Sequence, residues 1–134
     1  MAATFQLEVA TPERLLLREQ VSEAQIPAAN GYLGILPDHA PLLSELGIGE
    51  LTYKIAGRIG HMAVSGGWVE VLPDHVRVVA NVAEHAADIE AARAQASLQR
   101  SEERLVHPDL GLDVGRALNS MKRAQARLAA SMRK

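Results

Sequence analysis

Cysteine is absent from the 134 residues, which excludes a disulfide framework, a thiolate metal site and a cysteine nucleophile. Aromatics are nearly absent too. Phe5, Tyr32, Tyr53 and Trp68 are all there are, so a core must be assembled from Val, Ile, Leu and Ala. No apolar run approaches the roughly 18 residues that a membrane span needs, and no direct membrane insertion is expected. The opening residues, Met1-Ala-Ala-Thr-Phe-Gln-Leu-Glu-Val9, carry neither an apolar h-region nor basic residues, so no signal or transit peptide is predicted. There is no Gly-x-x-x-x-Gly-Lys-Ser/Thr phosphate loop and no dinucleotide fingerprint. Ser65 precedes two glycines but lacks the Gly-x-Ser-x-Gly frame of a nucleophile elbow. The histidines (39, 61, 75, 85 and 107) show no i,i+2 or i,i+4 pairing of the kind a zinc site uses. Neither a catalytic residue nor a metal site is expected.

What remains is a globular chain, 48% apolar and 22% charged, long enough for one ordinary domain or a small domain with an appendage. Its net charge of −2 conceals an asymmetry. Residues 1–84 carry five Lys/Arg against ten Asp/Glu, a net of −5, and residues 85–134 carry nine against six, a net of +3. A change of sign where the residue pattern also changes predicts two modules, 1–84 and 85–134.

The first module alternates with period two. Phe5, Leu7 and Val9 face one way and Gln6 and Glu8 the other, as in a half-buried strand. Similar segments follow at Leu15, from Val21 to Ala28, at Leu51-Tyr53-Ile55, on either side of Ser65-Gly66-Gly67, and from His75 to Val82. About eight to ten short strands with regular turn signals predict a β-sandwich, a flattened barrel. Gly66-Gly67 reads as a hairpin bend. Leu-Pro-Asp-His occurs at 36–39 and again at 72–75. Pro-Asp is ordinary turn chemistry, so the recurrence reads as coincidence. The stretch Gly31-Tyr-Leu-Gly-Ile-Leu-Pro-Asp-His-Ala-Pro-Leu-Leu43 combines backbone-shaping Gly and Pro with six large apolar side chains, which makes it a shaped corner built to meet something.

After Glu84, Ala, Arg, Gln and Glu take over. Helices are predicted over about 88–105 and 114–132, with Asp88 and Asp113 as N-caps and residues 107–113 as the breaker between them. Val114, Leu118, Met121, Ala124 or Gln125, Leu128 and Met132 form the apolar stripe of the second helix. The two pair as an antiparallel hairpin that must dock on something, and Ala-rich packing makes that docking weak and reversible. Arg116, Lys122, Arg123, Arg127, Arg133 and Lys134 give the last helix a basic surface. It is either a solvated face or a docking surface for an acidic protein. Nucleic acid is disfavoured, because the chain is net negative and no aromatics interleave with the cations.

Three stretches together resemble the epsilon subunit of bacterial and chloroplast-type rotary (F-type) ATP synthases. They are residues 31–43 as quoted, Val64-Ser-Gly-Gly-Trp-Val-Glu-Val71, and Ile89-Glu-Ala-Ala-Arg-Ala94. The last is similar to the family's Ile/Leu-Asp-x-x-Arg-Ala motif. The resemblance spans essentially the whole chain and implies a noncatalytic central-stalk rotor subunit, peripheral on the cytoplasmic face of a bacterial inner membrane. The implied partners are the gamma subunit, the c-ring loops, and the catalytic beta and alpha subunits, the latter reached by the C-terminal helices, which inhibit ATP hydrolysis. Tyr32, Asp38 and His39 become the implied rotor contacts, and Arg116, Lys122, Arg123 and Arg127 the inhibitory basic face. No cofactor is required. Some members bind regulatory ATP, which carries over here to Ile89, Glu90, Arg93, Ala94 and Arg100. Glu90 replaces the family's aspartate and Gln95 stands where ATP-binding members often have lysine, so an anionic ligand should be held more weakly. The alternative for Arg93 and Arg100 is contact with the sandwich or solvent. The alternatives for the whole chain are a generic β-sandwich adaptor with a helical interaction tail and a small β-barrel enzyme.

Overall fold

β1 (Phe5–Ala10) follows from its alternation: Phe5, Leu7 and Val9 are buried and the residues between them half-buried. The computed structural model describes residues 3–107 and 111–132. Within these, seven further strands follow: β2 (Leu15–Val21), β3 (Glu23–Ala28), β4 (Gly31–Ile35), β5 (Leu42–Glu45), β6 (Ile48–Ile55), β7 (Arg58–Val71) and β8 (His75–His85). They form one sheet in the order β2-β1-β8-β7-β6-β3-β4, with β5 also paired to β7. All pairings are antiparallel except β1 with β8. The sheet wraps around a largely aliphatic core that includes Phe5, Leu7, Ile26, Ile35, Leu51, Met62, Val69 and Val76. This is the expected β-sandwich, followed by α1 (Ala91–Val106) and α2 (Val114–Ser131).

β7 is one strand and not the expected hairpin. It runs straight through Ser65-Gly66-Gly67, pairing with β6 over Arg58 to Ser65 and with β5 over Trp68 to Val71. Its register against β8 never slips. What changes is the face it turns inward. Met62 and Val64 are buried before the glycines, Val69 and Val71 after them. Strict alternation would have kept one parity throughout. The switch is made by two residues at positive φ, Gly66 at 67° and Gly67 at 125°. A Cβ on Gly67 would collide with the Val79 carbonyl oxygen. β8 makes the matching switch, from buried Val78 and Ala80 to Ala83. Two long strands thus fold over and close the sandwich.

The linker differs from expectation as well. Asp88 caps no α-helix, because residues 86–88 form a 3-10 turn and Ile89 is extended and buried. α1 therefore starts at Ala91 with Glu90 at its N-cap and no side-chain cap bond. Asp113 does cap α2, its Oδ1 accepting from the Arg116 amide at 3.0 Å. Within α2 the expected apolar stripe is only partly the buried face: Ala124 is buried and Met121 and Leu128 are half-buried, but its other large members are not covered. Ala117, Ala124, Ala126 and Ala130 are buried, whereas Val114, Leu118 and Met132 are exposed, Met132 at 78%. Small residues let α2 approach two neighbours at once, α1 on one side and β6–β7 on the other, and larger side chains would hold them apart. Ser101 joins the helices through its hydroxyl to Ser120 at 3.2 Å. Arg133, Lys134 and the centre of the breaker, 108–110, lie outside the described residues.

Two stability predictions follow from these positions. Gly67→Ala should cost about 3 kcal/mol or more, since it adds both a disfavoured φ and a steric conflict; a urea midpoint equal to that of the parent would refute this. Tyr53 is half-buried, its ring against Gly60. Burial first, and the Glu19 charge second, raise its phenol above the ordinary value of 10.0. The folded chain therefore keeps a proton that the unfolded chain gives up. That contribution is complete below the ordinary value and is lost as pH rises through the folded one. Tyr53→Phe should lose stability less steeply than the parent between about pH 9.5 and 11, as read from urea midpoints across that range.

Candidate functional site

Register places side chains on the outer faces, with one irregularity between β1 and β2, where the pairing shifts at Val9 and Ala10. Glu45, Trp68, Val79, Ala10 and Leu15 are successive cross-strand partners over β5, β7, β8, β1 and β2. Trp68 is 54% exposed, and Val79 and Leu15 are also exposed. The neighbouring row is Leu43, Glu70, Arg77, Glu8 and Arg18, with Leu43 exposed at 67%. Glu8 sits between Arg18 at 3.8 Å and Arg77 at 3.7 Å. An apolar row flanked by an ion-pair row is the pattern of a protein interface, since contiguous exposed apolar side chains mark docking surfaces where single ones do not. Sequence reading missed this face. Its signal was Trp68, the one indole of the chain, at an outward position of a strand.

At one end of the sandwich the shaped corner proves to be strand at Gly31–Ile35, loop over 36–41, and the start of β5 at Leu42 and Leu43. Asp38, at φ 65°, donates its amide to the Pro73 carbonyl at 3.0 Å. The two Leu-Pro-Asp-His segments are therefore neighbouring turns joined by a hydrogen bond. His39 Nδ1 lies 2.7 Å from the Ala40 carbonyl, an internal bond that stiffens the loop, and Leu36 and Leu43 are exposed beside it. Tyr32 is not brought together with Asp38 and His39. Its hydroxyl instead accepts the Glu50 amide at 3.2 Å on β6, and it borders a groove of about 360 Å³ with Gln25, Lys54, Ile59 and His61. His61 Nδ1 there is 2.7 Å from Glu50 Oε1.

At the other end, β8 leads into the hairpin. Ala63 of β7 packs with Ala86, Ile89, Ala94, Ala126 and Ala130. Of the residues assigned to a nucleotide, Ile89 and Ala94 are thus buried in this seam, whereas Glu90, Arg93 and Arg100 are exposed. Arg100 borders a shallow depression with Glu103, Arg104 and His107. Arg93 does not line that depression. The basic face of α2 is divided. Arg116 and Lys122 are exposed, but Arg123 and Arg127 are half-buried against the sheet. Arg127 Nε donates to Glu84 Oε1 at 2.7 Å, and its Nη2 to Oε2 at 3.4 Å. Glu84 was visible in the sequence only as the last acidic residue before the change of grammar.

The chain's likenesses agree along its length. Residues 4–86 match the family description "ATP synthase, Delta/Epsilon chain, beta-sandwich domain", and residues 87–132 match "ATP synthase, Delta/Epsilon chain, long alpha-helix domain". The ATP synthase epsilon chain of Solibacter usitatus is 57% identical over 134 residues, covering 100% of both chains. That of Syntrophobacter fumaroxidans is 42% identical over 128 residues, 96% of each. A chain in the Euglena gracilis mitochondrial ATP synthase (OSCP/F1/c-ring, rotational state 1) superposes with a TM-score of 0.82 at 20% identity, over 97% of this chain and 82% of that one. One in the central stalk/c-ring of the Tetrahymena thermophila enzyme gives 0.62 at 17%, over 97% and 96%. At such identities the two structures speak to the fold alone.

Proposed function

The chain belongs to the ATP synthase delta/epsilon family, as an epsilon-type central-stalk subunit, and from that premise we propose how its surfaces divide the work. It is noncatalytic, and its role is coupling within the rotary complex. The outer face bearing Trp68, Val79, Leu15 and Leu43 docks the gamma subunit. The stiff loop at 36–41, with Asp38 and His39, meets the c-ring loops. From the Pro73 turn, β8 runs roughly 33 Å at about 3.3 Å per residue to the hairpin, so the rotor contact and the helical arm sit at opposite ends of one strand. Torque passing through such a body needs a set path, and the hydrogen bond from Asp38 to Pro73 supplies one across the loop.

The hairpin acts on the catalytic beta and alpha subunits when it leaves the sheet, and in doing so inhibits ATP hydrolysis. What supports this reading is that docking buries alanines while Val106, Val114, Leu118 and Met132 stay exposed. These side chains find no cover in the docked form and would find it in a groove between larger subunits. Arg116, Lys122, Arg123 and Arg127 then face an acidic segment. Coupling needs no cofactor. A regulatory ATP would meet its phosphates at Arg93 and Arg100, the exposed members of that set. No helix is long and apolar enough to cross a membrane among the described residues. In this reading the chain works peripherally, held by its partners at the cytoplasmic face of a bacterial inner membrane.

The exposed Trp68 row carries the docking assignment. Trp68→Glu should weaken binding to purified gamma subunit by about 2 kcal/mol or more, roughly 30-fold in Kd. Unchanged affinity would move the interface elsewhere. Deleting residues 86–134 should raise ATP hydrolysis by the assembled enzyme without impairing assembly. Hydrolysis at the parental rate would remove the inhibitory role and leave coupling untouched.

A further inference from the structure

We propose that Glu84 and Arg127 form an electrostatic latch that holds α2 on the sheet and opens by exchange of carboxylates. The inference rests on the reading that the hairpin leaves the sandwich. Its geometry is independent of that reading. Glu84 is the cross-strand partner of Ala63, and Ala63 packs with Ala126 and Ala130, so the ion pair lies beside the apolar seam between the modules. Both carboxylate oxygens are engaged, at 2.7 and 3.4 Å, by two different nitrogens of one guanidinium. This two-point arrangement fixes direction as well as distance, and a lysine could not reproduce it.

The apolar part of the docking is small. Apart from Ile89 and the half-buried Leu128 the seam is built of alanines, each of which removes one methyl group from water, so it contributes modestly beside the entropy of ordering two helices. A half-buried, hydrogen-bonded ion pair is then a comparable term and not a minor correction. It also joins modules of opposite net charge, so salt acts on the pair and on the long-range attraction in the same sense. Docked, Arg127 is spent on Glu84. Released, it completes the basic face with Arg116, Lys122 and Arg123. An acidic partner segment that offers Arg127 a new carboxylate replaces one ion pair by another, which leaves little electrostatic cost to opening. One side chain thereby holds the closed form and recognises the partner of the open form.

The absence of cysteine makes the test direct. In the isolated full chain, Glu13→Cys in the β1–β2 turn and Asn119→Cys on α2, both at exposed positions, accept two spin labels. Their distance distribution separates docked from released hairpins. The parent should be mostly docked at about 0.02 M salt and should shift toward released by about 0.5 M. Glu84→Gln should raise the released-to-docked ratio about 5- to 30-fold at low salt and flatten the salt response. Arg127→Gln should do the same, and the double variant should be no worse than either alone. Distributions for Glu84→Gln that match the parent at every salt concentration would overturn the latch, as would single effects that simply add. ATP hydrolysis is not read here. The latch and the inhibitory role can therefore fail separately.

Discussion

The fold depends on a strand changing face without losing its pairing. Strands alternate strictly, so a straight β7 of fourteen residues would present half its apolar side chains to solvent at one end. Gly66 and Gly67 reverse the inward parity at positive φ, while the hydrogen-bonded register to β8 continues on both sides of them. One sheet can then cover itself. The same bend aims Trp68 and Val79 outward just beyond it and turns Ala63 and Glu84 toward the helices just before it. The two candidate interaction surfaces are thus opposite consequences of one backbone event.

The second organising feature is the use of alanine where a stable bundle would use leucine. Close approach of α2 to both α1 and the sheet is possible only with small side chains at the contacts. That approach gives little burial per residue and leaves Val106, Val114, Leu118 and Met132 uncovered. A strongly amphipathic hairpin would have hidden Leu118 and Met132 and locked itself down. Here the docked form is defined in geometry and modest in energy, so a single ion pair and a competing partner can decide the balance.

Some expectations drawn from the sequence differ from the structure for physical reasons. The double glycine looked like a turn, because periodicity alone cannot separate a turn from a bend inside a continuous strand. The apolar stripe of the second helix is buried at Ala124 and partly at Leu128 but not at Leu118 or Met132, because fit and not hydrophobic size decides the contact. The basic face of that helix is divided by the sheet, a division its sequence does not show, because charge along a helix says nothing about which cation meets a carboxylate forty-three residues away. The repeated Leu-Pro-Asp-His read as coincidence, yet the two turns are hydrogen-bonded neighbours. No local pattern could reveal that contact across the sandwich.

By itself the sequence determined what rests on local periodicity and on motif spacing: the alternating strands of a sandwich, a C-terminal two-helix appendage, the cap at Asp113, and the family. These are written in residues a few positions apart, where the backbone has few choices. Tertiary structure alone decided which residues share a surface. The Trp68 row draws on five strands, the loop at 36–41 is braced by a turn some thirty-five residues later, and Glu84 finds Arg127 only once α2 lies across β7. Sheet register and helix placement set those meetings through packing of the whole core, and no short stretch of the chain contains that information.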